Sequence, residues 1–353
     1  KRLPKGQTLQ NVANDHPYIR VKDMQGRYVV LDSSYEYVPD SVFPSISRYT
    51  VETNDIILSI VGTVGLVALV DESLNNASLT ENCVKLINIK NHLPEFIYYY
   101  LYSDKGQAQI SEGVVGSTQP KFPLYNIEKL DIPDISMNEQ QHIVDILGSI
   151  DEKIENNEQL INIFENLAAK KYLDFANKTS TKIRLEDVIE LFDSKRIPLS
   201  SREREQRKGI YPYYGATGIL DYVNGFLFSG EYVLFAEDGT VTDTNGHPIV
   251  QLVNGSFWVN NHAHILKGKN GWNDYTLYVA LKQINVDKAV TGAVQPKINQ
   301  ANLLSLEIPN LSNNNLQTIN TELDVVFHKV FHLRSENKKL QELKGLYLKK
   351  FFE

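Results

Sequence analysis

Six basic side chains, Lys195, Arg196, Arg202, Arg204, Arg207 and Lys208, fall within fourteen residues, and Tyr214 follows shortly after. Guanidinium forks and ammonium groups at this density neutralise phosphates and chelate the O6/N7 edge of guanine. Glu203 and Glu205 interleave with them, so a solvated helix face is the competing reading. Arg2, Lys5, Arg20, Lys22 and Arg48 have the same chemistry but are more dispersed. Thr240, Thr242 and Asn245 sit in a polar, Gly-bounded loop, residues 238–246, whose side chains suit base edges. Gln119-Pro120-Lys121 and Gln295-Pro296-Lys297 each offer an amide and a cation, although a purely structural turn explains these triplets as well as a contact does.

The motifs of methyl transfer and of nucleotide-phosphate binding are missing from the sequence. There is no Asn/Asp-Pro-Pro-Tyr/Phe run and no G-x-x-x-x-G-K-[ST] phosphate loop. Glu336-Asn337-Lys338 has nuclease-like spacing but falls on a helix seam, so it reads as surface charge. His262 and His264 share a strand face and, with His247, are of metal-ligating type. No cysteine or carboxylate pattern accompanies them in sequence, so no metal is expected. The tyrosines of the run 94–102 could form a stacking platform for bases, with core packing as the alternative.

These residues are carried by a chain of 353 residues, long enough for two domains. No run approaches the roughly 18 apolar residues of a spanning helix, so no membrane association is expected. A single cysteine, Cys83, excludes an intrachain disulfide framework, fits a reducing cytoplasm and reads as a small buried hydrophobe. The net charge of −7 argues against holding a polyanion unaided, because phosphate neutralisation supplies most non-specific affinity.

The chain is written twice. Gly116-Ser117-Thr118-Gln119-Pro120-Lys121 recurs as Gly292-Ala293-Val294-Gln295-Pro296-Lys297, and Asp131-Ile132-Pro133 recurs as Glu307-Ile308-Pro309. Ile143, Leu147, Ile150 and Ile154 recur as Ile319, Leu323, Val326 and Val330, always 176 positions on. Further upstream, residues 55–59 correspond to 231–235 and residues 82–87 to 261–266, both strand-like, and the Tyr-rich helix starting at Pro94 corresponds to one over 274–281. Lys1-Arg2-Leu3-Pro4 matches Lys195-Arg196-Ile197-Pro198. The preceding stretch 182–188 has no counterpart before Lys1, so the natural chain is expected to extend upstream.

Four segments follow: 1–137, 138–178, 179–312 and 313–353. The second and fourth are heptad-patterned helices. Seam positions run Ile143, Leu147, Ile150, Ile154, Asn157, Ile161, Phe164, Ala168, Lys171, Phe175 in one. In the other they run Ile319, Leu323, Val326, Val330, Leu333, Asn337, Leu340, Lys344, Tyr347, Phe351. Unbroken 3-4 steps predict a coiled coil. Residues 138–178 carry 4 basic and 8 acidic side chains, net −4, and residues 313–353 carry 7 and 5, net +2, which favours mutual pairing. The repeat requires the pair to be antiparallel, with Asn157 and Asn337 close together and fixing register. About 38 residues span roughly 57 Å, enough to hold two units over DNA half-sites about 34–36 Å apart.

Taken in order, the Gly-Ser-Thr-Gln-Pro-Lys turn, the Asp-Ile-Pro segment, Asn138-Glu139-Gln140-Gln141-His142-Ile143-Val144-Asp145-Ile146-Leu147 opening the helix, and Pro212-Tyr213-Tyr214-Gly215-Ala216-Thr217-Gly218-Ile219 resemble the specificity (S) subunit of Type I restriction–modification systems. The resemblance covers essentially the whole chain and implies a mixed α/β (α+β) fold. Residues 1–137 and 179–312 would be target recognition domains related by pseudo-two-fold symmetry, joined by the antiparallel spacer helices. It implies that the chain is non-catalytic and reads the two halves of a bipartite, asymmetric site on double-stranded DNA. It implies docking of two methyltransferase (M) subunits and, through that core, restriction (R) subunits. S-adenosylmethionine, ATP and Mg²⁺ would belong to those partners, with none in this chain, and adenine methylation would be theirs. Three alternatives stay open: a specificity subunit of a fused methylase–nuclease, a coiled-coil adaptor that does not read DNA, and a metal-dependent hydrolase using the histidines.

Overall fold

The computed structural model describes residues 3–292 and 294–353. They form two compact mixed α/β units, Lys1–Asn156 with Asn337–Glu353, and Asn157–Glu336.

The first unit is built on a sheet in the order Tyr28–Val29, Val67–Val70, Ile56–Ser59, Cys83–Leu86. Ile56–Ser59 and Val67–Val70 are buried throughout, which explains their continuous apolar runs. They pair antiparallel with Ile57 opposite Ala68, and Lys85 faces Ile57 from the other side. Tyr98, Tyr99 and Tyr100 of the helix Pro94–Tyr102 are all at most 2% exposed. They pack into the core, which removes these three rings as a stacking platform.

In the second unit the sheet runs Val250–Val253, Tyr232–Ala236, Ala263–Gly268, Ile189–Leu191, antiparallel throughout. Leu234 faces Ile265 as Ile57 faces Lys85. This pairing equates 56–59 with 233–236, one residue on from the correspondence of 55–59 with 231–235 expected from sequence. When every residue of a strand is buried, hydropathy alternation is lost and cannot fix register. A second sheet, Ile219–Val223, Lys208–Tyr214, Ser256–Val259, Phe228–Ser229, has no four-stranded counterpart among the described residues of the first unit.

Two helices of 40 residues, Met137–Ala176 and Asn313–Phe352, contribute to both units. Within each unit they run antiparallel. In the second, Lys171 meets Glu322 at 2.8 Å, Glu165 meets Arg334 at 2.7 Å and Asn157 donates to Glu336 at 2.8 Å. In the first, Lys344 meets Asp151 at 2.7 Å and Asn337 donates to the Ile154 carbonyl at 3.4 Å. Each seam asparagine therefore bonds across to the opposite helix.

The seam departs from the expected heptad near the C-terminal ends. Tyr172 and Ala176 are buried where Lys171 and Phe175 were expected, and Leu348 and Phe352 where Tyr347 and Phe351 were. A straight helix drifts about 20° per heptad, so after several turns the neighbouring position faces inward. There the helix packs as a broad amphipathic face on its globular core rather than as a narrow seam.

Equivalent positions of the two units solve the same packing problem differently. In the first, Lys344 bonds both oxygens of buried Asp151, at 2.7 and 2.9 Å, and Tyr99 donates to Asp151 at 2.9 Å. Burial raises the Tyr99 hydroxyl, and the Asp151 charge adds to that. At the positions 176 residues away, Phe327 stacks on Tyr275 with ring centroids 5.2 Å apart, and Ala168 fills the place of Lys344. Removing one member of a buried ion pair strands the other, whereas an apolar replacement of both is tolerated. We expect Asp151→Ala or Lys344→Ala to cost about 3–5 kcal/mol. The double variant Asp151→Phe/Lys344→Ala should recover most of that loss, read from urea unfolding midpoints.

Candidate nucleic-acid interface

In each unit the central strand leaves the sheet at a polar corner held by backbone hydrogen bonds. In the second, Glu237 N–H donates to His262 O at 2.8 Å and Ile298 N–H to Glu237 O at 2.9 Å. Asp238 bridges Lys297, and Gly239 turns with φ +81°. In the first, Ile60 N–H donates to Asn82 O at 2.7 Å and Phe122 N–H to Ile60 O at 2.9 Å. Val61 bridges Lys121, and Gly62 turns with φ +85°. These bonds match Ile60 with Glu237, Thr63 with Thr240, Asn82 with His262 and Lys121 with Lys297.

The Gln-Pro-Lys triplets close this corner. Val115 and Lys121 exchange backbone bonds of 2.8 and 3.0 Å, as Thr291 and Lys297 do at 2.8 and 2.7 Å. Gly116 and Gly292 both have φ +88°. A Cβ on Gly116 would lie 3.0 Å from Gln119 O, and one on Gly292 would lie 2.3 Å from Gln295 O. The retained motif is thus a turn that staples the loop after the central strand. Gln119, Lys121 and Gln295 remain exposed on it.

Behind the second unit's corner lies an ion cluster that sequence reading did not foresee. His264, 1% exposed, places Nδ1 at 2.6 Å from Asp193 and Nε2 at 2.8 Å from Ile298 O. Glu237 accepts from Arg196 at 2.7 Å and lies 3.1 Å from Lys297 Nζ. Arg196 also donates to Ala263 O at 2.8 Å. Desolvation pushes the Asp193 carboxyl up, but hydrogen bonding and charge from His264, the Ile265 N–H and Arg196 outweigh it and hold it below 3.8. Glu237 is likewise held below 4.5: burial opposes ionisation, and Arg196, His264 and Lys297 overcome it.

The expectation that no carboxylate accompanies the histidines is corrected here. Asp193, Glu237 and His264 bring ligand-type atoms within 4.8 Å of one another, and Asp238 lies 2.5 Å from His262. The carboxylates come from distant segments, so spacing in sequence could not reveal them. The Asp193–Glu237–His264 set already holds two cations, Arg196 and Lys297. His247 is elsewhere engaged, with Asp243 at 3.2 Å. A sequence signal was available at Glu237 and Asp238, because acidic residues directly ending a buried strand need partners.

The other sequence-derived candidates divide by what already holds them. Arg2 lies outside the described residues. Arg20 pairs with Glu36 and approaches Asp23 at 3.8 Å. Arg204 is bound to Asp221 at 3.2 Å and lies over the Tyr213 ring. Lys208 sits 2.9 Å from the same Asp221 and 3.4 Å from Glu205. Arg196 and Lys297 are spent in the ion cluster. Tyr214 is half-buried with its ring edge-on to Phe257. Lys5, Lys22, Arg48, Lys195, Arg202, Arg207, Thr240 and Asn245 are exposed, and Thr242 is half-buried. Arg48, Lys195 and Arg207 rest on Tyr49, Phe192 and Trp258. Ser200 and Glu203 form a capping box on the helix Ser201–Gln206, so Glu203 serves that helix.

Asp193 and Glu237 have folded pKa values below their unfolded ones. Their stabilisation is therefore complete above the ordinary carboxylate range and is lost as pH falls through the lowered values. Asp193→Asn should remove roughly 2 kcal/mol at neutral pH. It should also flatten the acid limb below about pH 4 in a plot of urea midpoint against pH.

A family model described as the Type I restriction modification DNA specificity domain matches residues 1–166 and again 177–344. A Haemophilus influenzae protein assigned as a type I restriction enzyme specificity subunit is 38% identical over 125 residues. That match takes in 35% of this chain and 31% of that protein's length. The EcoprrI specificity subunit of Escherichia coli is 22% identical over 315 residues, covering 83% of this chain and 76% of that one. In fold, the chain resembles the crystal structure of a Type I restriction–modification S subunit from Mycoplasma genitalium, with a TM-score of 0.55 and 19% identity. That likeness covers 96% of this chain and 92% of the other.

Proposed function

The chain belongs to the family of Type I restriction–modification specificity subunits, and we propose that it reads the two halves of a bipartite site on double-stranded DNA without catalysing a reaction itself. The observation that carries this is the repeat: two specificity domains in one chain, each built onto the same two antiparallel helices. Two recognition units with different surface residues suit an asymmetric site. The spacer helices would set the distance between its halves.

Methylation would be done by two M subunits, with R subunits joining through that core. S-adenosylmethionine, ATP and Mg²⁺ would be held by those partners. The net charge of −7 supports this division, because an acidic reader needs basic companions to close around a polyanion. So does the outer face of the first helix, where Leu160, Ile163 and Leu167 are 41%, 60% and 38% exposed at 3-4 spacing. On the second helix Leu343 and Leu346 are 41% and 66% exposed. These apolar rows suit packing against helices of M. A reducing cytoplasm suits a chain whose single cysteine, Cys83, is buried.

Co-expression with its M partner and motif-resolved mapping of adenine methylation tests the reading. A bipartite motif is expected. Removing one heptad from each helix shortens the rod by about 10.5 Å and should narrow the motif's gap by about three base pairs. An unchanged gap in a correctly assembled variant refutes the spacing role of the helices. Leu160→Glu/Ile163→Glu should weaken co-purification of M with this chain by at least about tenfold, while its thermal unfolding stays within a few degrees.

A further inference from the structure

We propose that the corner after the central strand is the base-reading edge of each unit, and that Asn82 and His262 are specificity-determining side chains at one shared scaffold position. This rests on the DNA-reading function proposed above. The backbone there is the same in both units: the carbonyl of Asn82 or His262 receives the N–H of the residue leaving the central strand. The loop residue three positions beyond that one is threonine in both, Thr63 and Thr240, following glycines of matching φ. What differs is the side chain presented beside it. A position whose main chain is fixed and whose functional group differs is what two readers of different half-sites require.

The first unit presents a groove of about 640 Å³ lined by Lys22, Gln25, Gly62, Thr63 and Asn82. Lys22 and Asn82 are shared with a neighbouring hollow of about 510 Å³ that contains Arg20. The groove's lining also includes Val21, Met24, Val61 and Leu66, and its polar members Lys22, Gln25, Thr63 and Asn82 are of the types that read base edges and phosphates. The Asn82 carboxamide makes no hydrogen bond among the described residues, so both its donor and its acceptor are available for the N6/N7 edge of adenine.

In the second unit the ion cluster fills the space behind the corner, and the reading group stands on its rim. Asp238 faces His262 Nδ1, which fixes the proton on that nitrogen and leaves Nε2 as an acceptor in the neutral ring. The imidazole is 45% exposed, and Nε2 makes no hydrogen bond among the described residues. An acceptor held this way suits the exocyclic amine of adenine or cytosine.

The test uses the full chain assembled with its M partner, comparing methylation motifs of the parent, Asn82→Ala and His262→Ala. Asn82→Ala should relax one specified position in one half-site, with discrimination there falling about 5- to 150-fold and the other half and the gap unchanged. His262→Ala should do the same in the other half only. Asn82→Asp and His262→Gln cover a failure of the alanine forms to accumulate: Asn82→Asp keeps side-chain shape and should shift preference at that position toward cytosine, and His262→Gln keeps a polar group of similar reach and should change preference only at the position read by His262. An unchanged motif, relaxation in both halves from one substitution, or equal weakening at all sequences overturns the proposal. A parent assembly that methylates no bipartite motif would instead sink the underlying reading of function, so the two failures are distinguishable.

Discussion

The first unit cannot be completed from one continuous stretch of chain, and the antiparallel helix pair is the reason. The first unit's core joins Phe96, Tyr99 and Tyr100 of the Tyr-rich helix to Ile143 and Leu147 of the first long helix, and to Leu348 and Phe352 of the second. The last seventeen residues therefore close a domain that began at the N-terminus. The second unit's core in turn takes Ala168 and Tyr172 from the first helix and Ile319, Leu323 and Phe327 from the second. Slippage of one helix against the other would disturb both cores together, because close-packed interiors tolerate little change in shape. The pairing of the helices is thus tied to the stability of the cores they complete.

This dependence gives meaning to the unequal treatment of equivalent positions. Phe327 and Ala168 show that an apolar solution fits the scaffold, yet the first unit uses Asp151 and Lys344. A buried ion pair adds little net stability over an apolar pair but penalises every register in which one charge meets the wrong partner. A competing register slides one helix along the other. It would leave Asp151 and Lys344 each facing apolar seam residues instead of one another. The polar pair penalises that slip where apolar seams alone would tolerate it.

The repeat, the helices and their antiparallel sense were legible because they are periodic signals summed over many residues. The drift at the helix ends was not, because a pattern that reads equally well as heptad or as amphipathic face is decided by the core it meets, as at Tyr172 and Leu348. Among the candidate contacts, the members of the basic run before Tyr214 have unequal freedom. Arg204 and Lys208 share Asp221, while Arg202 and Arg207 stay exposed. Arg196 was the least legible, because its partners Glu237 and Ala263 lie 41 and 67 positions away. Composition shows that a cation is present; only the fold shows whether it is already neutralised.

The Gln-Pro-Lys turns show how one motif separates structure from reading. Their glycines and backbone bridges are the same in both units, so selection for the turn explains the retained sequence without any ligand. The lysine side chains nevertheless differ in fate: Lys297 is drawn to Glu237, whereas the first unit has Ile60 at that position and Lys121 remains exposed. One change at the end of a buried strand thus draws a surface cation into an ion pair while the main chain is undisturbed. Because the staple is made by backbone atoms, side chains around it can vary at little cost to folding. A scaffold of this kind can acquire a new surface chemistry in one unit without altering the other.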